Sequence, residues 1–327
     1  MLMKSLAIVA LSLSTFSFGQ QIPQFSQYHR NQYMVNPAAA GVYDFLDITL
    51  GGRMQWVGID NAPKSSYLYA SSVLPNSSVR HNPSIRTSAG AFKNPEIRTG
   101  TLKHALGGML VADQYGAFRT LRGAVTYAVH LPVARGYNLS FGTNLGVSNR
   151  SFLRDEAQVL TAITGSGTVD ATYDQFVANQ GAQNTMDLGL GMYFYSNELF
   201  VGISADQITQ DLVRFGNTTT NFDTKPHFQL TAGYKFPITE NLTLMPSILA
   251  KYLSPAPISV DGTLQLEYKE WLWFGVSYRH EDAVVGMLGL NVSDRFKFGY
   301  SYDFNISSLS NYTSGGHELV LGIMIGR

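Results

Sequence analysis

Residues Thr120–Ser148 read TLRGAVTYAVHLPVARGYNLSFGTNLGVS, and their alternation decides the fold. In the first half Leu121, Val125, Tyr127, Val129 and Leu131 share one parity with Gly123, while Arg122, Ala124, Thr126, Ala128 and His130 take the other. After the polar Pro132–Gly136 break, Tyr137, Leu139, Phe141, Leu145 and Val147 alternate with Asn138, Ser140, Gly142, Asn144, Gly146 and Ser148. A period of two means strands, because successive side chains point to opposite faces of a sheet. The two runs make one hairpin with strands of about 12 residues. That exceeds the about 5–6 residues usual in soluble sheets and is long enough to cross a bilayer at a tilt.

The composition of the 327-residue chain agrees. Charged residues are 14%, well below the roughly 25% of ordinary soluble domains, while aromatics reach 12%. Such a surface suits lipid better than water. With 23 Lys+Arg against 23 Asp+Glu there is no electrostatic case for a nucleic-acid partner. The absence of cysteine excludes disulfides, thiol catalysis and a cysteine lipid anchor.

Residues 1–19 have the pattern of a signal peptide: Lys4 in a positive n-region, the apolar run Leu6–Leu13, and Ser17-Phe18-Gly19 as a small-x-small site. The expected mature chain begins at Gln20. Residues 20–45 follow as a non-strand segment, a candidate plug or periplasmic contact, and residues 46–327 as an outer-membrane barrel. Within the segment, Asn36-Pro37-Ala38-Ala39-Ala40-Gly41 predicts one capped helical turn, with Asn as cap, Pro at the first helical position and Gly as stop.

From Leu46 onward about fourteen strands are expected, at Leu46–Arg53, Ser66–Leu74, Ala105–Asp113, Thr120–Leu131, Tyr137–Asn149, Thr185–Tyr195, Glu198–Ala205, His227–Phe236, Asn241–Tyr252, Ser259–Tyr268, Trp271–His280, Val284–Val292, Arg295–Phe304 and Gly316–Ile325. Connections after the fourth, sixth, eighth, tenth and twelfth are short. At the other end lie the long stretches Arg150–Asn184, Asp206–Pro226 and Asn305–Gly315. Short turns at one end and long loops at the other are the asymmetry of an all-β, transmembrane antiparallel barrel in an outer membrane. An even strand count returns both termini to the short-turn, periplasmic side. One connection breaks the rule: Pro75–His104 is long, basic and on the short-turn side, and reads as a solvated loop or a docking insert.

Aromatics gather where strands meet the interfaces. Tyr268, Trp271 and Trp273 flank one short turn and Tyr300, Tyr302 and Phe304 lie near the opposite end, as expected of headgroup-level girdles. Phe298, Tyr300, Tyr302 and Phe304 alternate with Lys297, Gly299, Ser301 and Asp303, which turns the charges away from lipid.

Two motifs go beyond generic barrel physics: PQFSQYHRNQYMVNPAAAG (Pro23–Gly41) and RMQWVGIDNAPKS (Arg53–Ser65). With FGYSYDF (Phe298–Phe304) and GGHEL (Gly315–Leu319) they resemble the PorP/SprF family, outer-membrane proteins of the type IX secretion system and gliding apparatus of Bacteroidetes. The resemblance implies a 14-stranded barrel that helps export or retain a partner adhesin at the cell surface, beside other type IX components and outer-membrane lipid. The motif residues Phe25, Asn36, Pro37, Gly41, Arg53, Gln55, Trp56, Asp60 and Lys64 are its candidate partner-recognition residues. A structural alternative has Arg53 paired with Asp60 inside the barrel and Trp56 filling it. The chain departs from the family in its long Asn76–Lys103 insert, and its Ile325-Gly326-Arg327 end lacks the terminal aromatic common in outer-membrane barrels.

No catalytic, cofactor or metal site is expected. In His280-Glu281 and His317-Glu318, adjacent strand residues face opposite ways and make no clamp. Gly189-Leu190-Gly191 lies inside a strand with no helix to cradle phosphate, so packing explains it better. Three functions compete: a non-enzymatic secretion component, a passive porin or hydrophobic-solute channel, and a barrel hydrolase. Inward sets rich in Gly, Ser, Ala, Asn and Thr, with Arg122, Asp187, Lys235 and Lys251 among them, permit either a narrow pore or a filled one.

Overall fold

A computed structural model describes residues 24–75, 100–153, 156, 182–210, 213–215 and 224–326. The strands are β1 (Leu46–Met54), β2 (Lys64–Val73), β3 (Lys103–Tyr115), β4 (Phe118–Ala134), β5 (Tyr137–Phe152), β6 (Ala182–Tyr195), β7 (Leu199–Asp206), β8 (His227–Tyr234), β9 (Phe236–Thr239), β10 (Leu242–Leu253), β11 (Ser259–Tyr268), β12 (Leu272–Arg279), β13 (Ala283–Asn291), β14 (Phe296–Asn305) and β15 (Gly316–Ile325). All neighbours pair antiparallel, and β1 meets β15 from Leu46↔Ile325 to Met54↔His317, closing the sheet on itself. The expected strand His227–Phe236 is broken at Lys235 into β8 and β9, two pieces of one stave on β10. The result is a closed 14-strand antiparallel barrel with one extra strand. Closure leaves no unpaired edge, the condition for a sheet to cross lipid.

The barrel is polar inside and apolar outside. Val125 and its cross-strand partner Leu145 point outward, 66% and 51% exposed, whereas Asn144 is 1% exposed and faces the lumen. Arg122, Thr126, His130, Asn138, Ser140 and Ser148 are buried with it, which is the parity read from Thr120–Ser148. The expected Pro132–Gly136 break is shorter than its composition implies. β4 runs on to Ala134 through a bulge after Pro132, and Gly136, at φ +85°, makes the turn. A proline is tolerated in a sheet at such a bulge.

At the short-turn end the connections are 135–136, 196–198, 240–241, 269–271 and 292–295, with the long 74–102 insert beside them. The opposite end carries 55–63, 153–181, 207–226 and 306–315, together with the shorter 116–117, 254–258 and 280–282. The 76–99 part of the basic insert, most of the two longest loops and the signal-peptide region fall outside the described residues.

Residues 24–45 run down the lumen as an arm. Gln24 lines the long-loop mouth beside Trp56, Pro255 and Asn305. Deeper in, Tyr28 reaches Ser247, Tyr33 reaches Thr126 and Asn36 reaches Met192. Ala40 meets His130, and Asp44 pairs with Lys103 near the short-turn end, just before β1 begins. Even strand parity therefore accounts for the carboxyl end, where Ile325 lies beside Leu46. It does not account for the arm, whose first described residues lie at the opposite mouth because the chain traverses the lumen before entering the sheet.

Candidate functional site

The arm holds to the wall by three sets of contacts. At the long-loop end, the Ser26 and Gln27 amides donate to Glu318 Oε2 and Oε1 at 2.6 and 3.3 Å. Ser26 Oγ accepts from Arg53 Nη1 at 2.6 Å and Arg279 Nη2 at 3.1 Å, and donates to Asp303 at 3.2 Å. Around it Arg53 pairs with Asp303 and Glu318, and Arg279 with Asp261, Asp282 and Asp303. One hydroxyl of the arm is thus shared by three buried charged groups on β1, β12 and β14, while Glu318 on β15 takes the neighbouring backbone amides. Buried charges keep their ionised form only when paired and hydrogen-bonded, so the cluster fixes where Ser26 can sit.

Midway, Asn36 caps the predicted helical turn. Its side chain accepts from Ala38 N at 2.9 Å and donates to the Met192 and Ile203 carbonyls at 3.0 and 3.2 Å. Ser204 Oγ donates to the Val35 carbonyl at 2.7 Å. The wall makes room with glycines. A Cβ on Gly142 would lie 2.4 Å from Ala38 N, and one on Gly191 would lie 2.1 Å from Asn36 Oδ1. Packing against the arm is therefore what Gly191, in Gly189-Leu190-Gly191, provides.

Lower still, His130 Nε2 donates to the Ala40 carbonyl at 2.9 Å, which leaves Nδ1 to accept from Tyr195 OH at 2.8 Å. The carbonyl, which can only accept, assigns the tautomer. Gly41 ends the turn at φ +73°, with Ala105 Cβ 2.2 Å from where its own Cβ would be, so both backbone and space call for glycine. A separate lumen cluster ties Arg122 on β4 to Asp187 on β6 at 2.7 Å and Asp206 on β7 at 2.9 Å, with Ser148 Oγ donating to Asp187.

The motif residues divide between this arm site and the mouth. Phe25 packs edge-on against Tyr67 at 4.7 Å, and Asn36, Pro37 and Gly41 lie buried in the lumen. Arg53 is in the Ser26 cluster, with the Gln55 side-chain amide 2.9 Å from its Nε, where only the amide oxygen can accept from it. Asp60 and Lys64 are exposed outside it. The pairing expected between Arg53 and Asp60 is not formed: Arg53 faces inward at the seam, where Asp303 and Glu318 are nearer than its own loop. Trp56 does not fill the barrel either. It is half-buried at the mouth, at φ +50°, edge-on to Tyr115 at 6.2 Å.

One girdle assignment also changes. Tyr268 and Trp271 are exposed, but Trp273 is 2% exposed and points inward, edge-on to His29 with Arg30 5.5 Å from its ring centroid. The parity it shares with Gly275, Ser277 and Arg279 is the signal that identifies it as a lumen residue. Asp303 and Arg279 were legible the same way, since both sit on the polar parity of their strands. Ser26 carried no sign beyond its place in the first motif.

No curated protein sequence matches the chain. Among solved structures it is similar to the CymD monoaromatic hydrocarbon channel, with 12% identity, 94% of each chain covered and a TM-score of 0.47. It is also similar to the toluene transporter TodX of Pseudomonas putida, with 9% identity, 90% of this chain and 92% of that one covered, and a TM-score of 0.47. A third is Omp33 of Acinetobacter baumannii, with 6% identity, 87% and 99% covered, and a TM-score of 0.43. The family model described as type IX secretion system membrane protein PorP/SprF matches residues 17–323. Nearly the whole chain, both sequence motifs and every strand but the last two residues of β15 included, falls within that match, and the protein belongs to the PorP/SprF family of type IX secretion system membrane proteins.

Proposed function

We propose that this barrel is a non-enzymatic scaffold of the type IX secretion system that holds a secreted adhesin at the cell surface, with its long-loop end outward and its lumen closed by residues 24–45. The observation that carries the reading is the arm: Ser26, Gln27, Tyr28, Asn31, Asn36 and Ala38 are buried against inward-facing wall residues along the lumen. A passage blocked by the chain's own covalently attached segment is poorly suited to solute flow. A closed sheet offers no edge strand, so a partner must engage loops, termini or the lumen mouth. Other type IX components would meet the short-turn side, the side of the Pro75–His104 insert. The signal peptide would be cleaved after Gly19.

Deleting the gene tests this. The adhesin should still be made but be missing from the surface, with outer-membrane permeability little changed, and affinity purification of the barrel from native membranes should recover the adhesin or other type IX components. A barrel that purifies alone, and whose deletion alters only solute uptake, is a porin.

A further inference from the structure

Beside the arm, in the long-loop half of the lumen, lies a cavity of about 420 Å³, within the roughly 300–1,000 Å³ of small-ligand sites. Its apolar side belongs to the arm: Phe25, Tyr28, Met34 and Val35, with Leu249 of β10 beside them. It adjoins a second cavity of about 610 Å³ at the mouth, which also has Gln55, Lys251 and Leu253 in its lining and gives it an entrance from the long-loop end. The pair makes a vestibule that opens at the long-loop end and is flanked by the arm.

The charges in its wall are unequal in their commitments. Asp206 is held by Arg122 at 2.9 Å, and Asp113 accepts from the Ser65 hydroxyl. Arg150 is different. Its guanidinium reaches the cavity from β5 and donates to two neutral oxygens, Thr224 Oγ1 at 2.9 Å and Gln207 Oε1 at 3.2 Å. Among the described residues no carboxylate lies within ion-pair distance of it. A guanidinium has five donors in a planar fork suited to a carboxylate, and two neutral acceptors leave that fork partly unused.

We propose that this vestibule binds an amphipathic anion, an apolar stem carrying a carboxylate, with the stem against Phe25, Tyr28, Met34 and Val35 of the arm and the carboxylate on Arg150. This site is independent of the adhesin-holding role: it can fail while that role stands, and the reverse. Two sources share the chemistry, a free fatty acid and the carboxyl terminus of an apolar peptide.

The test uses the full chain in lipid nanodiscs, titrated calorimetrically with octanoate, 1-octanol, acetyl-Leu-Val-Phe with a free carboxylate, and its amide, with empty nanodiscs subtracted. At least one carboxylate probe should bind about ten-fold more tightly than its neutral counterpart, and Arg150→Gln should remove about that factor. Thr120→Trp, which fills the cavity from β4 while keeping Arg150, should abolish binding and carries the test if Arg150→Gln fails to fold. Octanoate binding alone identifies a fatty acid, and peptide binding identifies a chain terminus. If neither carboxylate binds, if neutral probes bind equally, or if the folded variants bind like wild type, the assignment is wrong.

Discussion

The Ser26 amide and the Glu318 carboxylate, 292 residues apart in the chain, are joined by a 2.6 Å hydrogen bond inside the barrel. The same carboxylate is 3.3 Å from Arg53, so the arm, the first strand and the last strand are fastened at one place. Barrel closure brings Glu318 opposite Arg53 in the β1–β15 register, and the arm is then fitted to the pair.

Breaking this cluster from the cation side should be costly. Arg53→Ala leaves Asp303 and Glu318 buried with one partner fewer each, and removing one partner of a buried pair typically costs about 3–5 kcal/mol. Glu318→Gln keeps the shape and should cost less. Urea unfolding followed by heat-modifiable gel mobility should rank the two in that order, and equal midpoints would show that Arg53 is compensated elsewhere.

Gly142→Val should expel the arm and spare the barrel. The new side chain must occupy the space of Ala38 backbone, which cannot yield as a flexible side-chain tip does. Arg30, now held against Glu267 at 3.0 Å, would become accessible to trypsin. Rapid cleavage at Arg30 in the variant but not in wild type is the expected result. Equal resistance would mean that the arm can pack without the Gly142 cradle.

The lipid face is tested at the paired positions Val125 and Leu145. Arg at a lipid-facing midplane site costs roughly 2–4 kcal/mol and falls towards zero near the interfaces. Val125→Arg and Leu145→Arg should impair assembly to a similar extent, while Leu145→Ile should be nearly silent. Normal assembly of Leu145→Arg would remove that face from the hydrocarbon.

Topology can be read by cysteine labelling, since the chain has no cysteine of its own. With the long-loop end outward, an impermeant reagent applied to intact cells should reach Asp282→Cys but not Asn197→Cys in the β6–β7 turn. Gln24→Cys should label with the first, because the arm begins at the same mouth. Labelling of Asn197→Cys alone would invert the barrel.

The sequence was informative wherever a local rule governed the outcome. Alternation alone separates Leu145 from Asn144, and the Asn36-Pro37 start with a Gly41 stop predicts the turn that is found. Reading failed where neighbours in space are distant in sequence. The sequence offers Arg53 a partner in Asp60, seven residues on, yet its carboxylate partners come from β14 and β15 because a closed barrel returns its last strands to its first. Trp273 is hard to place for a different reason: a tryptophan near a strand end suits both a headgroup girdle and a lumen, and only its parity with Arg279 separates them. The path of the arm had no periodic signal at all. It is fixed by wall glycines and by single polar contacts such as Asn36 to Met192.

The claim that the barrel is a scaffold closed by its own arm, rather than a channel, meets its most direct test in planar-bilayer conductance. Wild type, Gly142→Val and a variant lacking residues 24–45 would be recorded under the same salt and voltage. Wild type should be silent, while the two others show discrete openings. Steady conductance in wild type equal to that of the arm-deleted barrel would contradict the account and return the protein to the porins.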